Sequence, residues 1–180
     1  MYLGACTKGA TAKKSLRPQY YGDHTLAKKR NYCFKVSYMN YVLKNYILQN
    51  NVPCESIIKE DIKTSFQEHV VSLINKHIGM TDKELCEVYD RPYNNNKAQW
   101  YDLAFRMLGI KGNHAAEFQK ANIVVKTIRI EENGKNRENM SFAPFKFKEL
   151  VQEELEDSTV FNYFDTTQFL FVVFKRVDDV

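Results

Sequence analysis

The chain has 180 residues, of which 44% are hydrophobic and 27% are charged, a composition typical of an ordinary globular protein. No apolar run approaches about 20 residues and no apolar stretch follows the N-terminus, so the sequence predicts neither a membrane span nor a secretory signal. The four cysteines form no Cys-x-x-Cys pair and match no zinc module, which favours reduced thiols in a cytoplasmic protein.

The net charge of +4 is unevenly distributed along the chain. Residues 1–46 carry nine basic side chains and one acid, a net charge of +8, which leaves −4 for residues 47–180. Eight aromatic residues lie among these charges, and this mixture suits phosphates, sugars and base edges. A solvated hairpin whose tyrosines pack on a core explains the composition equally well. The candidate DNA-binding residues are Lys8, Lys13, Lys14, Arg17, Lys28, Lys29, Arg30, Tyr32 and Lys35.

The first two thirds of the chain predict a basic hairpin followed by helices. After a polar loop, alternation over residues 32–37 predicts a half-exposed strand, which leads into a short helical turn. Two capping boxes, Ser65 with Glu68 and Thr81 with Glu84, then predict the starts of two helices. The segment NKAQWYDLAFRMLGI, residues 96–110, predicts a third and well-buried helix that ends near Gly109.

The last third predicts a sheet. NIVVKTIRI, residues 122–130, is typical of a buried strand, and Asn133-Gly134 predicts a turn from which residues 136–145 return as a second strand. Residues 145–157 predict an amphipathic helix with Phe147, Leu150, Val151 and Leu155 inside. Residues 168–177 are almost continuously apolar, as in a strand buried on both faces. The expected fold class is α/β, a mixed sheet flanked by helices.

Two segments carry a resemblance to a known family. EFQKANIVVKTIRI, residues 117–130, and KAQWYDLAFRMLG, residues 97–109, resemble the mismatch-repair nuclease MutH. The match to the GATC-cutting type II restriction enzymes of the Sau type is closer. Their second, catalytically degenerate domain is resembled by VVKTIRIEENG, residues 124–134, MSFAPFKFKEL, residues 140–150, and FLFVVFK, residues 169–175. The resemblance implies a restriction-endonuclease-like fold for residues 47–180. Residues 1–46 resemble the DNA-contacting end of a preceding MutH-like domain, which implies a fragment of a longer enzyme, incomplete at its C-terminus.

The same resemblance assigns the catalytic positions. The intact family enzyme holds Mg²⁺ with carboxylates, and a lysine helps to place the attacking water. Here the expected acids fall at Phe105, Glu117 and Val124, and the lysine falls at Lys126. Glu117 and Lys126 are therefore remnant positions, and no metal is expected for this chain. Lys126 would meet Glu117 on a neighbouring strand or a DNA phosphate, or its ammonium group would extend from the sheet edge to water.

Three functions remain open at this stage. The first is a DNA-binding effector part of a GATC-specific type II restriction endonuclease, not catalytic by itself. Its partners would be double-stranded DNA and either a catalytic MutH-like domain or a second copy of the protein. The second is an active Mg²⁺-dependent endonuclease that uses Glu117 with Asp102 or Glu131. The third is a decayed fragment or an interaction module.

Overall fold

The computed structural model describes residues 2–8, 16–48, 54–94, 96–136, 138–155 and 158–177. The chain divides into two compact units, residues 1–50 and residues 51–180, called unit 1 and unit 2 below. Helices and small sheets together make it a mixed α/β protein, which confirms the predicted class. Within the described residues, no helix has both the length and the apolar character needed to cross a bilayer.

Unit 1 is a β-ribbon followed by a helical turn. Its elements are β1 (Leu3–Thr7), β2 (Leu16–Pro18), β3 (Leu26–Lys28), β4 (Arg30–Phe34), α1 (Val36–Val42) and a π-helical turn (Leu43–Ile47). The extended run formed by β3 and β4 pairs antiparallel first with β2 and then with β1. The strand predicted over residues 32–37 starts two residues earlier, at Arg30, and ends at Phe34, because Lys35 is the extended residue that precedes α1.

Unit 2 contains the remaining helices and a two-stranded sheet. Its elements are α2 (Phe66–Asn75), α3 (Asp82–Val88), α4 (Ala98–Met107), α5 (Ala116–Ala121), β5 (Ile123–Ile130), α6 (Phe147–Leu150), α7 (Thr159–Thr166) and β6 (Gln168–Lys175). Both predicted capping boxes are present. The Ser65 hydroxyl accepts the Glu68 N–H at 3.2 Å, while the Glu68 carboxylate accepts the Ser65 N–H at 3.0 Å.

The core of unit 2 is built around α4. Leu103 and Ala104 are completely buried there, and the helix ends at Met107. Gly109 lies two residues beyond that end, and its φ of 77° suits a residue without a side chain. Val125 of β5 and Val172 of β6 pack into the same core. The predicted third helix is confirmed, and Trp100 within it is 7% exposed.

β5 and β6 form a parallel pair in continuous register from Ile123 opposite Gln168 to Ile130 opposite Lys175. Both strands were predicted, but β6 is not buried on both faces. Only Val172 is buried along it, and Phe171 and Val173 are 47% and 52% exposed. One face of the pair packs on the helices while the other is only partly covered.

The predicted strand over residues 136–145 is wrong. The turn at Gly134 forms, with a φ of 77°, but among the described residues only Asn136 bridges back to Ile130. The Ser141 carbonyl accepts a hydrogen bond from the Lys126 ammonium group, and the Phe142 ring packs against Phe164 and Phe169. The sheet of unit 2 is consequently a parallel pair rather than a mixed sheet.

The predicted helix over residues 145–157 is also wrong. Among the described residues of this stretch the only α-helix is α6, four residues long, and no side chain caps its start. Phe147, Val151 and Leu155, expected inside, are 74%, 79% and 71% exposed. Glu153 lies outside α6, and its carboxylate accepts the N–H of Thr159, at the start of α7, at 2.9 Å.

Candidate nucleic-acid interface and remnant catalytic positions

The ribbon of unit 1 presents most of the candidate DNA-binding residues. Strand alternation puts Arg30 and Tyr32 on one face of β4, and the register sets Tyr32 opposite the small side chain of Ala5. Tyr32 is 90% exposed because Ala5 cannot cover its ring. A cation and an open ring thus lie two residues apart on one strand, an arrangement that suits a sugar–phosphate backbone.

The tip of the β2–β3 hairpin adds two further open rings. Tyr20 and Tyr21 are 85% and 83% exposed and meet edge to face, with 5.0 Å between their centroids. The tip is shaped by Gly22, with a φ of 87°, and by the Asp23 carboxylate, which accepts the Thr25 hydroxyl. That hydrogen bond lowers the pKa of Asp23 and keeps the carboxylate ionised within the basic segment.

The remaining basic candidates differ in exposure. Lys8, Arg17 and Lys29 are exposed, whereas Lys28 and Lys35 are half-buried. The N–H of Lys8, which follows β1, donates to the carbonyl of Lys29 at 2.9 Å. Lys29 is the residue between β3 and β4, so this hydrogen bond holds the ribbon together at that point. Lys13 and Lys14 lie outside the described residues, so their assignment stays a prediction.

Glu117 lies at the start of α5, not on a strand, so the predicted strand pairing with Lys126 is wrong. The Glu117 carboxylate accepts hydrogen bonds from the Ser56 hydroxyl at 2.5 Å, the Ile57 N–H at 3.1 Å and the Ile58 N–H at 3.2 Å. These three donors belong to one short stretch of backbone. The carboxylate therefore ties residues 56–58 to the beginning of α5.

The pKa of Glu117 reports this engagement. Burial raises the pKa, but the hydrogen bonds from Ser56, the backbone of Ile57, its own backbone and Ile58 outweigh burial, and the net pKa is lowered. The carboxylate is thus ionised at neutral pH and occupied by donors. A carboxylate in that state stabilises the local structure and is not available to bind a ligand.

A second acid works beside it in the same way. The Glu55 carboxylate accepts the N–H groups of Lys111 and Gly112, at 2.9 Å and 2.8 Å, and these hydrogen bonds lower its pKa. The Glu55 backbone also pairs with His114 and Ala116. Sequence reasoning missed Glu55, because backbone amides that lie more than 50 residues away leave no local pattern.

Lys126 is also occupied by groups of its own unit. Its ammonium group donates to the Ser141 carbonyl at 2.6 Å and lies 5.3 Å from the centroid of the Phe142 ring. On β5 it shares a face with Val124, since side chains two residues apart point to the same side. The partners of the Lys126 ammonium group are therefore a backbone carbonyl and an aromatic ring, rather than Glu117 or open solvent.

The two positions that would carry further acids are apolar in environment as well as in identity. Phe105 is 3% exposed and packs with Tyr101 and Phe118, at centroid distances of 5.0 Å and 6.3 Å. Val124 is half-buried opposite Phe169. A carboxylate at Phe105 would have to lose its hydration within this aromatic cluster, at a high cost in free energy.

The other acids considered from the sequence are likewise committed. The Asp102 carboxylate lies between Arg91 and Arg106, with 3.0 Å to the Arg106 Nε. Glu131 pairs with Arg176 at 3.5 Å. Among the described residues, no group of three or more His, Cys, Asp and Glu side chains is arranged to hold a metal ion. The residues at the remnant positions therefore do not fit Mg²⁺, which requires several oxygen ligands.

Comparison with known proteins relates this chain to the type II restriction enzymes. It is similar to the type II restriction enzyme Sau3AI of Staphylococcus aureus, with 36% identity over 195 aligned positions. The match covers 99% of this chain and 39% of the relative, so the chain spans well under half of that protein's length. No family model matches the chain. The similarity confirms the predicted resemblance to the Sau-type restriction endonucleases.

Proposed function

We propose that this chain is a DNA-binding effector part of a GATC-specific type II restriction endonuclease and does not cleave DNA by itself. Its fold would be the restriction-endonuclease-like, MutH-like fold implied by the resemblance. One observation carries the proposal: Glu117, the one acid retained among the expected positions, is taken up by donors from residues 56–58. With apolar side chains at Phe105 and Val124, the site offers a metal no adequate set of oxygen ligands.

DNA binding is the second half of the proposal. Double-stranded DNA is negatively charged along its whole length, and residues 1–46 have a net charge of +8. The exposed Arg17, Lys29, Arg30 and Tyr32 of unit 1 supply cations and an open ring for that backbone. The GATC sequence itself is proposed from the resemblance to the family. The partner on the same DNA would be a catalytic MutH-like domain or a second copy.

The domain division follows from the same resemblance. Residues 1–46 would be the DNA-contacting end of one MutH-like domain, and residues 47–180 would be the beginning of another. An effector that holds one GATC site would activate catalysis at a second site through its catalytic partner. In this arrangement the chain would bind DNA and regulate its cleavage, while the catalytic partner would carry out the cleavage.

The test combines binding and cleavage on one substrate. A labelled duplex with one GATC site is titrated with the purified chain, and the same duplex is then incubated with the chain and Mg²⁺. We expect saturable binding, a preference for GATC over a scrambled duplex, and no site-specific cleavage. Cleavage at GATC that is lost in Glu117→Ala or Lys126→Ala would establish the active endonuclease instead. Failure to bind duplex DNA at low salt would leave the decayed-fragment hypothesis.

A further inference from the structure

A cavity of about 340 Å³ opens in unit 2 along the edge of β5 that faces away from β6. Within the described residues, that edge is bridged only by Asn136 opposite Ile130. The wall combines cations, rings and side-chain amides, the groups that recognise a phosphate and its neighbouring sugar. The side chains used below are those of Lys97, Trp100, Lys126, Arg129 and Glu138.

Glu138 engages two of these cations at once. One carboxylate oxygen lies 2.8 Å from the Lys97 ammonium, and the other pairs with the Arg129 guanidinium. The Glu138 side chain is 32% exposed, against 76% for Lys97 and 39% for Arg129. Two positive charges therefore share one negative charge, and these three side chains keep an excess of one positive charge in the wall of the cavity.

Arg129 is held in position independently of Glu138. Its guanidinium lies over the face of Trp100, with 4.4 Å from Cζ to the ring centroid, and Trp100 is fixed in α4 with 7% exposure. A guanidinium stacked in this way keeps its orientation when its anion changes. Arginine with a fixed plane is well suited to phosphate, because its N–H groups match two oxygens of the anion.

A phosphodiester and a carboxylate are interchangeable in such a site. Each carries one negative charge, spread over two oxygens that accept hydrogen bonds. The DNA backbone could therefore take the place of the Glu138 carboxylate without leaving Lys97 or Arg129 unpaired. Lys126, which lines the same cavity, adds a third cation.

We infer that Lys97 and Arg129 form a phosphodiester-binding site in unit 2 and that Glu138 is the internal anion that DNA displaces from it. This inference rests on the proposed function and adds a second place, apart from the basic ribbon of unit 1, at which the DNA backbone is held. Glu138 makes the site conditional, because a phosphate must compete with a carboxylate that is always present.

The first experiment removes the competitor. Glu138→Gln keeps the size of the side chain and removes its charge, whereas Glu149→Gln makes the same change of charge at a 64% exposed side chain paired with Lys146. We expect Glu138→Gln to bind a 20-base-pair duplex about two- to fivefold more tightly than Glu149→Gln at low salt. The log–log salt slope should steepen by about 0.9 to 1.8, for one or two further phosphate contacts.

A second variant tests the site without disturbing Glu138. Lys97→Ala changes an exposed side chain and should weaken binding of the duplex, while Lys148→Ala, an exposed lysine of α6, should have less effect. In the Lys97→Ala background the gain from Glu138→Gln should shrink, because the two residues are coupled. Equal affinities for Glu138→Gln and Glu149→Gln, with full additivity in the double variant, would overturn the inference. If Glu138→Gln does not fold, the comparison of Lys97→Ala with Lys148→Ala decides it.

A probe without DNA separates this inference from the proposed function. Trp100 is the single tryptophan of the chain, and its ring touches Arg129, so its fluorescence reports on the site. Inorganic pyrophosphate should change the emission of Glu138→Gln at lower concentration than that of the unchanged chain. If pyrophosphate changes the emission but the chain does not bind the duplex, the cluster is an anion-binding site whose ligand is not DNA. Duplex binding by the unchanged chain, with no effect of Glu138→Gln on either probe, would retain the proposed function and reject the site.

Discussion

The Glu117 carboxylate and the Ile57 amide lie 3.1 Å apart although sixty residues of sequence separate them. With the Ser56 hydroxyl and the Ile58 amide, this contact closes a clamp between residues 56–58 and α5. The clamp gives a structural role to a side chain whose family position is catalytic.

The pH dependence of stability should reveal this clamp. The folded-state pKa of Glu117 lies below its ordinary value of 4.5, so its stabilisation is complete above that value and is lost as the pH falls through the folded pKa. Hydrogen bonds to a charged group contribute about 1.5–3 kcal/mol when buried, and partial exposure reduces this to about 1 kcal/mol. Glu117→Gln should therefore lower the free energy of unfolding by about 1 kcal/mol at pH 7 and by less near pH 3, measured by urea denaturation. Glu87→Gln, at an exposed acid of α3, should change little at either pH.

The basic ribbon of unit 1 should govern the salt dependence of DNA binding. Replacing Arg17, Lys29 and Arg30 by alanine removes three exposed cations, which should flatten the log–log slope by up to about 2.7 units. Replacing Lys63, Lys76 and Lys148, which are exposed in unit 2, makes the same change in net charge. Fluorescence anisotropy from 50 to 200 mM salt would compare the two triple variants. Equal slopes would show that the ribbon is not the DNA-binding surface.

Catalysis should not return when one acid is restored. Val124→Glu adds a carboxylate beside Lys126 but leaves Phe105 in its aromatic cluster and Glu117 in its clamp. We expect no Mg²⁺-dependent cleavage of GATC duplexes by this variant on a sequencing gel. The triple variant Phe105→Glu, Glu117→Asp, Val124→Glu should bind Mg²⁺ more tightly in calorimetry, yet melt at a lower temperature because it places a carboxylate in the core. Cleavage by Val124→Glu alone would contradict the account of the site.

Truncation should greatly destabilise the chain at Trp100 and hardly affect it at Val151. Trp100 is 7% exposed in α4, and Trp100→Ala should cost about 3–5 kcal/mol of unfolding free energy. Val151 is 79% exposed, and Val151→Ala should stay within about 0.5 kcal/mol of the unchanged chain. Thermal denaturation followed by circular dichroism measures both. A large loss for Val151→Ala would restore the buried amphipathic helix that was predicted over residues 145–157.

The capping box of α2 gives a smaller and local effect. Ser65→Ala removes the acceptor for the Glu68 N–H and should cost about 1 kcal/mol. Thr64→Ala, at the exposed neighbouring residue, leaves the cap intact and serves as the control. Urea denaturation distinguishes the two variants. Equal stabilities would mean that the cap contributes nothing measurable to the unit.

Elements whose signal lies within a few neighbouring residues were predicted well from the sequence. The capping boxes at Ser65 and Thr81, the Gly134 turn and the apolar strand β5 each depend on local chemistry. The helix over residues 145–157 was predicted incorrectly because its pattern of apolar residues suggested a buried face. Phe147 and Leu155 have the spacing of such a face, but in the structure they are exposed.

The candidate site shows the same limit. The resemblance located Phe105, Glu117, Val124 and Lys126, whereas their surroundings depend on contacts between distant parts of the chain. The donors to Glu117 lie about 60 residues away, and Lys126 donates to a carbonyl 15 residues away. Nothing in the sequence pointed to Arg129 and Glu138, because an ion pair that spans a loop leaves no local sequence pattern. Partners of this kind become visible only when the chain is folded.

The parallel register of β5 and β6 has a consequence for the order of folding. Parallel neighbours cannot be joined by a tight turn, and here residues 131–167 separate the two strands. The chain entropy of closing so long a loop must be overcome before the first interstrand hydrogen bond forms. The helices α2 to α4 have local hydrogen bonds, and α2 and α3 also have capping boxes, so these helices can form beforehand. We therefore expect strand pairing to come late, so that amides of β5 gain protection from hydrogen exchange after those of α4 during refolding.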